Sequence, residues 1–171
     1  SIKLNREELF ETDLVPYIKH FEQQNIYAVM TAHTVYPNFD LQETDSNGKL
    51  LPSSLSQNIV TNLLRNELGF EGLALTDDLE MGAIVKNYGI GEACKMAFQA
   101  GSDFLLICND EKAIYEGFKT MLKAFNNGEI SEERINQSLE RIFRVRKSLN
   151  KPLEFNLQRL DELSLEIKDL K

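Results

Sequence analysis

Three short apolar runs, each followed by a longer amphipathic stretch, constrain the fold of this chain more than any other feature. Ile26-Tyr27-Ala28-Val29-Met30, Gly72-Leu73-Ala74-Leu75-Thr76 and the run from Asp103 to Cys108 have the length and apolar content of buried strands. Between them lie stretches with helical spacing. Residues 6–22 carry Phe10, Leu14, Tyr17, Ile18 and Phe21 behind Asn5, a good N-cap with Glu8 three residues on, and Pro16 predicts a kink. Pro52-Ser53-Ser54 opens the next helix, with Ser54 and Gln57 in capping-box spacing, Leu55, Ile59, Leu63 and Leu64 on its apolar face, and Gly69 at its end. A loop with Gly82 and Gly89 leads to a helix near Glu92–Ala100, closed by Gly101. Residues 111–126 form another helix, and Ser131 caps a last one running to about Leu149. Strands joined by helices of this length must run parallel, because a crossover returns the chain to the same edge of the sheet.

Two architectures satisfy that pattern: a doubly wound open sheet and a (β/α)8 barrel. No Gly-x-Gly-x-x-Gly and no Gly-Lys-Ser/Thr loop follows any of the strands, so the open nucleotide-binding sheet lacks its usual mark. The 171 residues fit one domain with a real core. We expect a folded unit over residues 1–150 and a charged, leucine-dotted tail over 151–171.

The formal charge of −8 argues against a nucleic-acid partner, because a polyanion is repelled over most of such a surface. A membrane partner is equally disfavoured: the longest apolar runs, such as Phe104 to Cys108, fall far short of the roughly 20 residues that span a bilayer. Cys94 and Cys108 form no Cys-x-x-Cys pair and read as reduced, buried thiols.

Polar residues gather just past the C-terminal end of each strand: Thr31, Ala32 and His33 after the first, Asp77 and Asp78 after the second, Asn109 and Asp110 after the third. That edge is where ligands bind in both architectures. The adjacent carboxylates Asp77 and Asp78 stand out, because like charges beside a buried strand repel each other. A carboxylate there could ligate a metal, transfer a proton or attack carbon. His33, Asp40, Asp45 and Asp77 could supply metal donors, although no recognisable ligand spacing links them. Attack on an anomeric carbon needs only one ionised carboxylate backed by an acid. Composition and spacing leave these alternatives open.

At these residues the chain resembles the family 3 glycoside hydrolases, in particular their bacterial β-N-acetylglucosaminidase (β-hexosaminidase) branch, over about residues 8–148. Val29-Met30-Thr31-Ala32-His33 is similar to the family's sixth barrel strand. Leu51-Pro52-Ser53-Ser54-Leu55-Ser56 and Leu64-Arg65-Asn66-Glu67-Leu68-Gly69-Phe70 are similar to the next helix. Gly72 to Met81 resembles the seventh strand with its Ser/Thr-Asp-x-Leu-x-Met ending, Ala100-Gly101-Ser102-Asp103 the eighth, and Gly128 to Ile142 the closing helix. The resemblance implies an α/β fold comprising the C-terminal portion, about strands 6–8, of a (β/α)8 barrel. It also implies a retaining hydrolase of β-N-acetylglucosamine in cell-wall-derived sugars, working without a cofactor or metal. Asp77 maps onto the catalytic nucleophile, and Asp78, Met81 and His33 onto the sugar-binding surroundings.

The chain departs from the family in one large respect. The branch's acid/base is an Asp-x-His dyad after the fifth strand, and neither histidine here has an aspartate two residues before it: Ile18 precedes His20 and Thr31 precedes His33. Lys19-His20-Phe21 mimics the start of a family sugar-binding segment, but it lies in a helix and no Pro-Gly follows. A full barrel also takes about 250 residues. We therefore expect a C-terminal fragment, inactive alone, that self-associates or pairs with the missing N-terminal half. Relatives imply a bacterial cytoplasmic setting, with periplasmic or extracellular ones in other species. The competing readings are a family 3 β-glucosidase-like hydrolase, a non-catalytic sugar-binding or scaffold module, and a metal-binding α/β domain.

Overall fold

The computed structural model describes residues 1–23, 26–149 and 155–168. Its centre is a parallel pair, β1 (Ala28–Thr31) and β2 (Leu73–Thr76), in register from Ala28 opposite Leu73 to Thr31 opposite Thr76. The crossover between them holds an irregular segment, a 3₁₀ turn over Ser53–Leu55 and a π-helix over Asn58–Glu67. This is a βαβ unit, and β2 is almost fully buried, as a strand covered on both faces must be. Phe21, Val60, Leu64, Phe70, Ala74 and Ala100 form the core on one side of the pair. Leu51, Leu55, Leu79, Ile84, Ile90, Ala93, Cys94 and Ala97 form a second core under the loop that follows β2.

The structure corrects several expectations. The segment 6–22 is two helices, α1 (Arg6–Glu11) and α2 (Val15–Glu22), where a single kinked one was expected. Asn5 caps α1 in a full capping box with Glu8, and the chain restarts with Pro16 in the first turn of α2, where a missing N–H costs nothing. The helix after Pro52 is capped by Ser56, whose Oγ accepts Ile59 N–H at 3.2 Å, and not by Ser54, which is buried and engaged elsewhere. The expected loop between Gly82 and Gly89 is a helix, α3 (Gly82–Tyr88), anchored by the fully buried Ile84.

The third expected strand, Asp103 to Cys108, lies beside β2 but makes only one parallel bridge, Leu75 with Phe104. Thr76 N–H donates to the Phe104 carbonyl at 3.1 Å, but the Thr76 hydroxyl then accepts Leu106 N–H at 3.0 Å where a backbone carbonyl would continue the ladder. A side chain has replaced the next rung. Helices α4 (Ile90–Ala100), α5 (Glu111–Asn126) and α6 (Glu132–Ser148) follow, the last two capped by Asp110 and Ser131. Gly101 closes α4 at φ +124°, and a Cβ there would lie 2.6 Å from Thr61 Oγ1, so glycine alone lets α4 end this close to the π-helix.

Asp103 joins the elements at the opposite edge of the sheet. Its carboxylate is fully buried and accepts Arg65 at 2.7 Å, Arg141 at 3.0 Å, Ser138 Oγ at 2.6 Å and Ala74 N–H at 3.1 Å. The π-helix, β2 and α6 thus meet on one charge. The expected boundary near residue 150 falls outside the described residues; beyond it, α7 (Leu157–Lys168) is exposed along its whole length. Among the described residues, no helix is long and apolar enough to cross a membrane.

Candidate active site

Asp77 is the first residue beyond β2, and its N–H donates to the Thr31 carbonyl at 3.0 Å, so the strand pairing holds it at the sheet edge. Every backbone N–H from Asp77 to Met81 has an acceptor. Asp78 N–H donates to Asp77 Oδ1 at 2.8 Å, Leu79 N–H to the Leu106 carbonyl at 2.9 Å, Glu80 N–H to Asp78 Oδ1 at 3.0 Å, and Met81 N–H to the Asp78 carbonyl at 3.1 Å. Leu79 is the anchor, fully buried in the core beneath the loop. The loop is therefore pinned by its own backbone, and one oxygen of Asp77 is oriented by the next amide while the other accepts no hydrogen bond among the described residues.

The neighbouring carboxylates are turned apart: each accepts an amide from within its own turn, and both are half-buried. Met81 points outward, 45% exposed, at the end of the loop. His33 reaches the loop from β1. Its Nε2 lies 2.9 Å from the Asp78 carbonyl and its Nδ1 2.6 Å from Ser54 Oγ. A carbonyl can only accept, so Nε2 carries the proton, and in the neutral ring Ser54 donates to Nδ1. His33, Asp77, Asp78 and Met81 thus come together at one edge, with His33 holding the loop through Asp78.

The four donors that a metal would need are not assembled. Asp40 pairs with Arg6, and Asp45 accepts Asn47 and Lys49 N–H in its own turn. Among the described residues, no three His, Cys, Asp or Glu side chains are placed to hold a metal ion.

Two residues at the site escaped the sequence reading. Glu80 crosses to the end of the third segment, where its two oxygens accept Asn109 N–H at 2.6 Å and Asp110 N–H at 2.9 Å. The clustering of Asn109 and Asp110 at that edge was the available signal. Cys108, expected to be buried, is exposed at the rim. Local desolvation first, and then the charges of Asp78, Glu80 and Asp77, push its thiol above the ordinary range. Burial pushes Cys94 up to about 11.

Both thiols are therefore expected to be poor nucleophiles in the folded protein at pH 7–8, with iodoacetamide modifying Cys108 slowly and Cys94 not at all. Alkylation of Cys108 at the rate of an unstructured cysteine peptide at pH 7.5 would contradict this. The sign for stability follows from linkage: the contribution from keeping Cys94 protonated is complete below its ordinary range near 9 and is lost as pH rises towards about 11.

A concavity of about 490 Å³ lies between α1, α2 and β1 and is lined by Leu14, Tyr17, Met30, Thr31 and Tyr36 among others. Asp77 is not in its wall; the Asp77 loop stands on an open rim.

The model of the glycosyl hydrolase family 3 N-terminal domain matches residues 1–145. Beta-hexosaminidase A of Pseudoalteromonas piscicida is 29% identical over 154 residues, covering 85% of this chain and 26% of that protein. The family 3 beta-N-acetylglucosaminidase from Paenibacillus sp. str. FPU-7 superposes with a TM-score of 0.80 at 32% identity, over 91% of this chain and 29% of that one. The beta-N-acetylglucosaminidase from Thermotoga maritima does so at 0.76 and 28% identity, over 88% and 32%. The chain spans about a quarter to a third of the length of these relatives. With 145 of its residues matched in order and a TIM-barrel-like α/β arrangement in common with its solved neighbours, the chain belongs to the glycosyl hydrolase family 3 N-terminal domain family.

Proposed function

We propose that this chain carries the nucleophile half of a retaining β-N-acetylglucosaminidase, with Asp77 as the nucleophile. The observation that carries the reading is the pinned loop: one carboxylate oxygen held by an amide and the other unoccupied at the C-terminal edge of a parallel strand, in a chain matched by hexosaminidases over most of its length. Asp77 attacks C1 of the sugar, the aglycone oxygen leaves with a proton, and water hydrolyses the glycosyl-enzyme. Asp78 and Met81 lie where the bound sugar would pass, and His33 shapes that surface through the Asp78 carbonyl. The substrate class is terminal β-N-acetylglucosamine of peptidoglycan-derived sugars. The bacterial cytoplasm fits two unpaired thiols.

In the same reading, β1, β2 and the segment Asp103 to Cys108 are strands 6–8 of the barrel, residues 1–150 are the glycosidase unit and 151–171 its tail. The 171 residues contain no Asp-x-His pair, so hydrolysis of ordinary glycosides by this polypeptide alone is expected to be negligible. The test is a sugar that needs little acid assistance. A 5-fluoro-N-acetylglucosaminyl fluoride should add one glycosyl group to the chain, and peptide mapping should place it on Asp77. A label on another carboxylate, or none at millimolar sugar, would sink the assignment.

The exposed surface also supports self-association. β1 has no second partner strand among the described residues, Met30 on it and Tyr27 just before it are exposed, and α5 presents Ile114, Phe118 and Leu122 to solvent. Light scattering should show an apparent mass rising with protein concentration; a monomer throughout the micromolar range would contradict it.

A further inference from the structure

We infer that Glu80 is a positioning residue for Asp77, an inference that rests on the reading of Asp77 as nucleophile. Asp77 and Glu80 sit three residues apart on one turn, whose backbone is tied together by Asp78: its N–H donates to Asp77 Oδ1 and its own Oδ1 accepts Glu80 N–H. Glu80 is the side chain that ties this turn to the next strand end. Its two oxygens accept consecutive amides, Asn109 at 2.6 Å and Asp110 at 2.9 Å. Asp110 is the N-cap of the 16-residue helix α5, so the Glu80 charge lies at the positive end of a long helix, where a carboxylate is favoured.

The turn is thus gripped from both sides: His33, two residues past β1, holds the Asp78 carbonyl, and Glu80 holds the start of α5. The two grips differ in chemistry. The His33 contact is one ring N–H on a carbonyl. Glu80 is a carboxylate accepting two consecutive amides at a helix terminus. Loss of the clamp would release the Asn109–Asp110 loop and let the Asp77 oxygen wander. A misplacement of about 1 Å is enough to slow a positioned reaction by about 100-fold.

The test compares Glu80→Ala, Glu80→Gln and wild type in covalent trapping by the 5-fluoro-N-acetylglucosaminyl fluoride. Glu80→Ala should lower the trapping rate constant at saturating sugar by about 10- to 100-fold, while the half-saturating concentration stays within about twofold. Glu80→Gln keeps one acceptor oxygen and should fall between. A lowered rate constant beside an unchanged half-saturating concentration, partly restored in Glu80→Gln, separates misplacement of Asp77 from general loosening, which would move both parameters and would not be rescued by the amide. In wild type, the Asn109 and Asp110 amide protons should resonate downfield and lose that shift in Glu80→Ala. Trapping by Glu80→Ala at the wild-type rate, or a Glu80→Gln variant no faster than Glu80→Ala, overturns the inference. If wild type shows the two downfield amides but no label on Asp77, the nucleophile reading fails and the positioning role with it; if it shows the label but not the amides, the clamp alone fails.

Discussion

Asp103→Ala is expected to lower the unfolding free energy by about 3–5 kcal/mol, the usual penalty for removing one member of a buried ionic cluster. The carboxylate is completely buried and is shared by Arg65, Arg141, Ser138 and the amide of Ala74. Arg65 is only 8% exposed at its side chain, and burial already holds it below the ordinary arginine range, an effect that Asp103 opposes. Arg134 nearby is lowered to about 10 by the same burial. Without Asp103, the attraction goes and the desolvation stays, so the arginines are left as uncompensated charge. Asp103→Asn keeps acceptors but not the charge and should lie between. The contrast is Arg144, whose ion pair with Glu71 is exposed on both sides; its alanine variant should cost under about 1 kcal/mol. Urea denaturation of the three variants checks the order, and an Asp103→Ala midpoint within error of wild type would refute it.

The second large effect separates the paired aspartates. Asp77→Asn should abolish covalent trapping, a loss of about 10⁴-fold or more, because a neutral carboxamide oxygen is a far weaker nucleophile than a carboxylate and cannot form the glycosyl ester. Asp78→Asn should retain the label on Asp77 at a rate lower by no more than about tenfold, since its task is to accept Glu80 N–H through Oδ1, which an amide oxygen also does. Intact mass over time reads both. Equal losses in the two variants would mean that the pair acts as a unit and that the single-nucleophile assignment is wrong. Asp77 is expected to fold as well as wild type when replaced by asparagine, because its Oδ1 contact with Asp78 N–H can be kept by the amide carbonyl.

Much of this was legible in the chain. The alternation of apolar runs and amphipathic stretches pointed to parallel pairing, because burial on both faces demands uninterrupted apolar residues and the return path demands a crossover. Asn5 and Ser131 announced their helices, since a cap is a contact between residues two or three apart and needs no tertiary partner. Position at a strand end made Asp77 a candidate for the same reason: strand edges are set by local pattern.

What escaped the sequence depends on contacts between distant residues. Whether Asp103 to Cys108 would be a full strand turned on the Thr76 hydroxyl taking Leu106 N–H, a choice among acceptors that no local pattern encodes. The helix after Gly82 is secured by burying Ile84 in a core that also draws on Leu51, Leu55, Leu79 and the buried face of α4. His33 and Glu80 acquire their roles from Asp78, 45 residues away, and from Asn109 and Asp110, about 30 residues away. By itself the sequence indicated the parallel pairing and most of the helices, and set the Asp77–Asp78 pair at a strand end. Only the tertiary structure decided how that carboxylate is held, because orientation comes from hydrogen bonds that close across the fold.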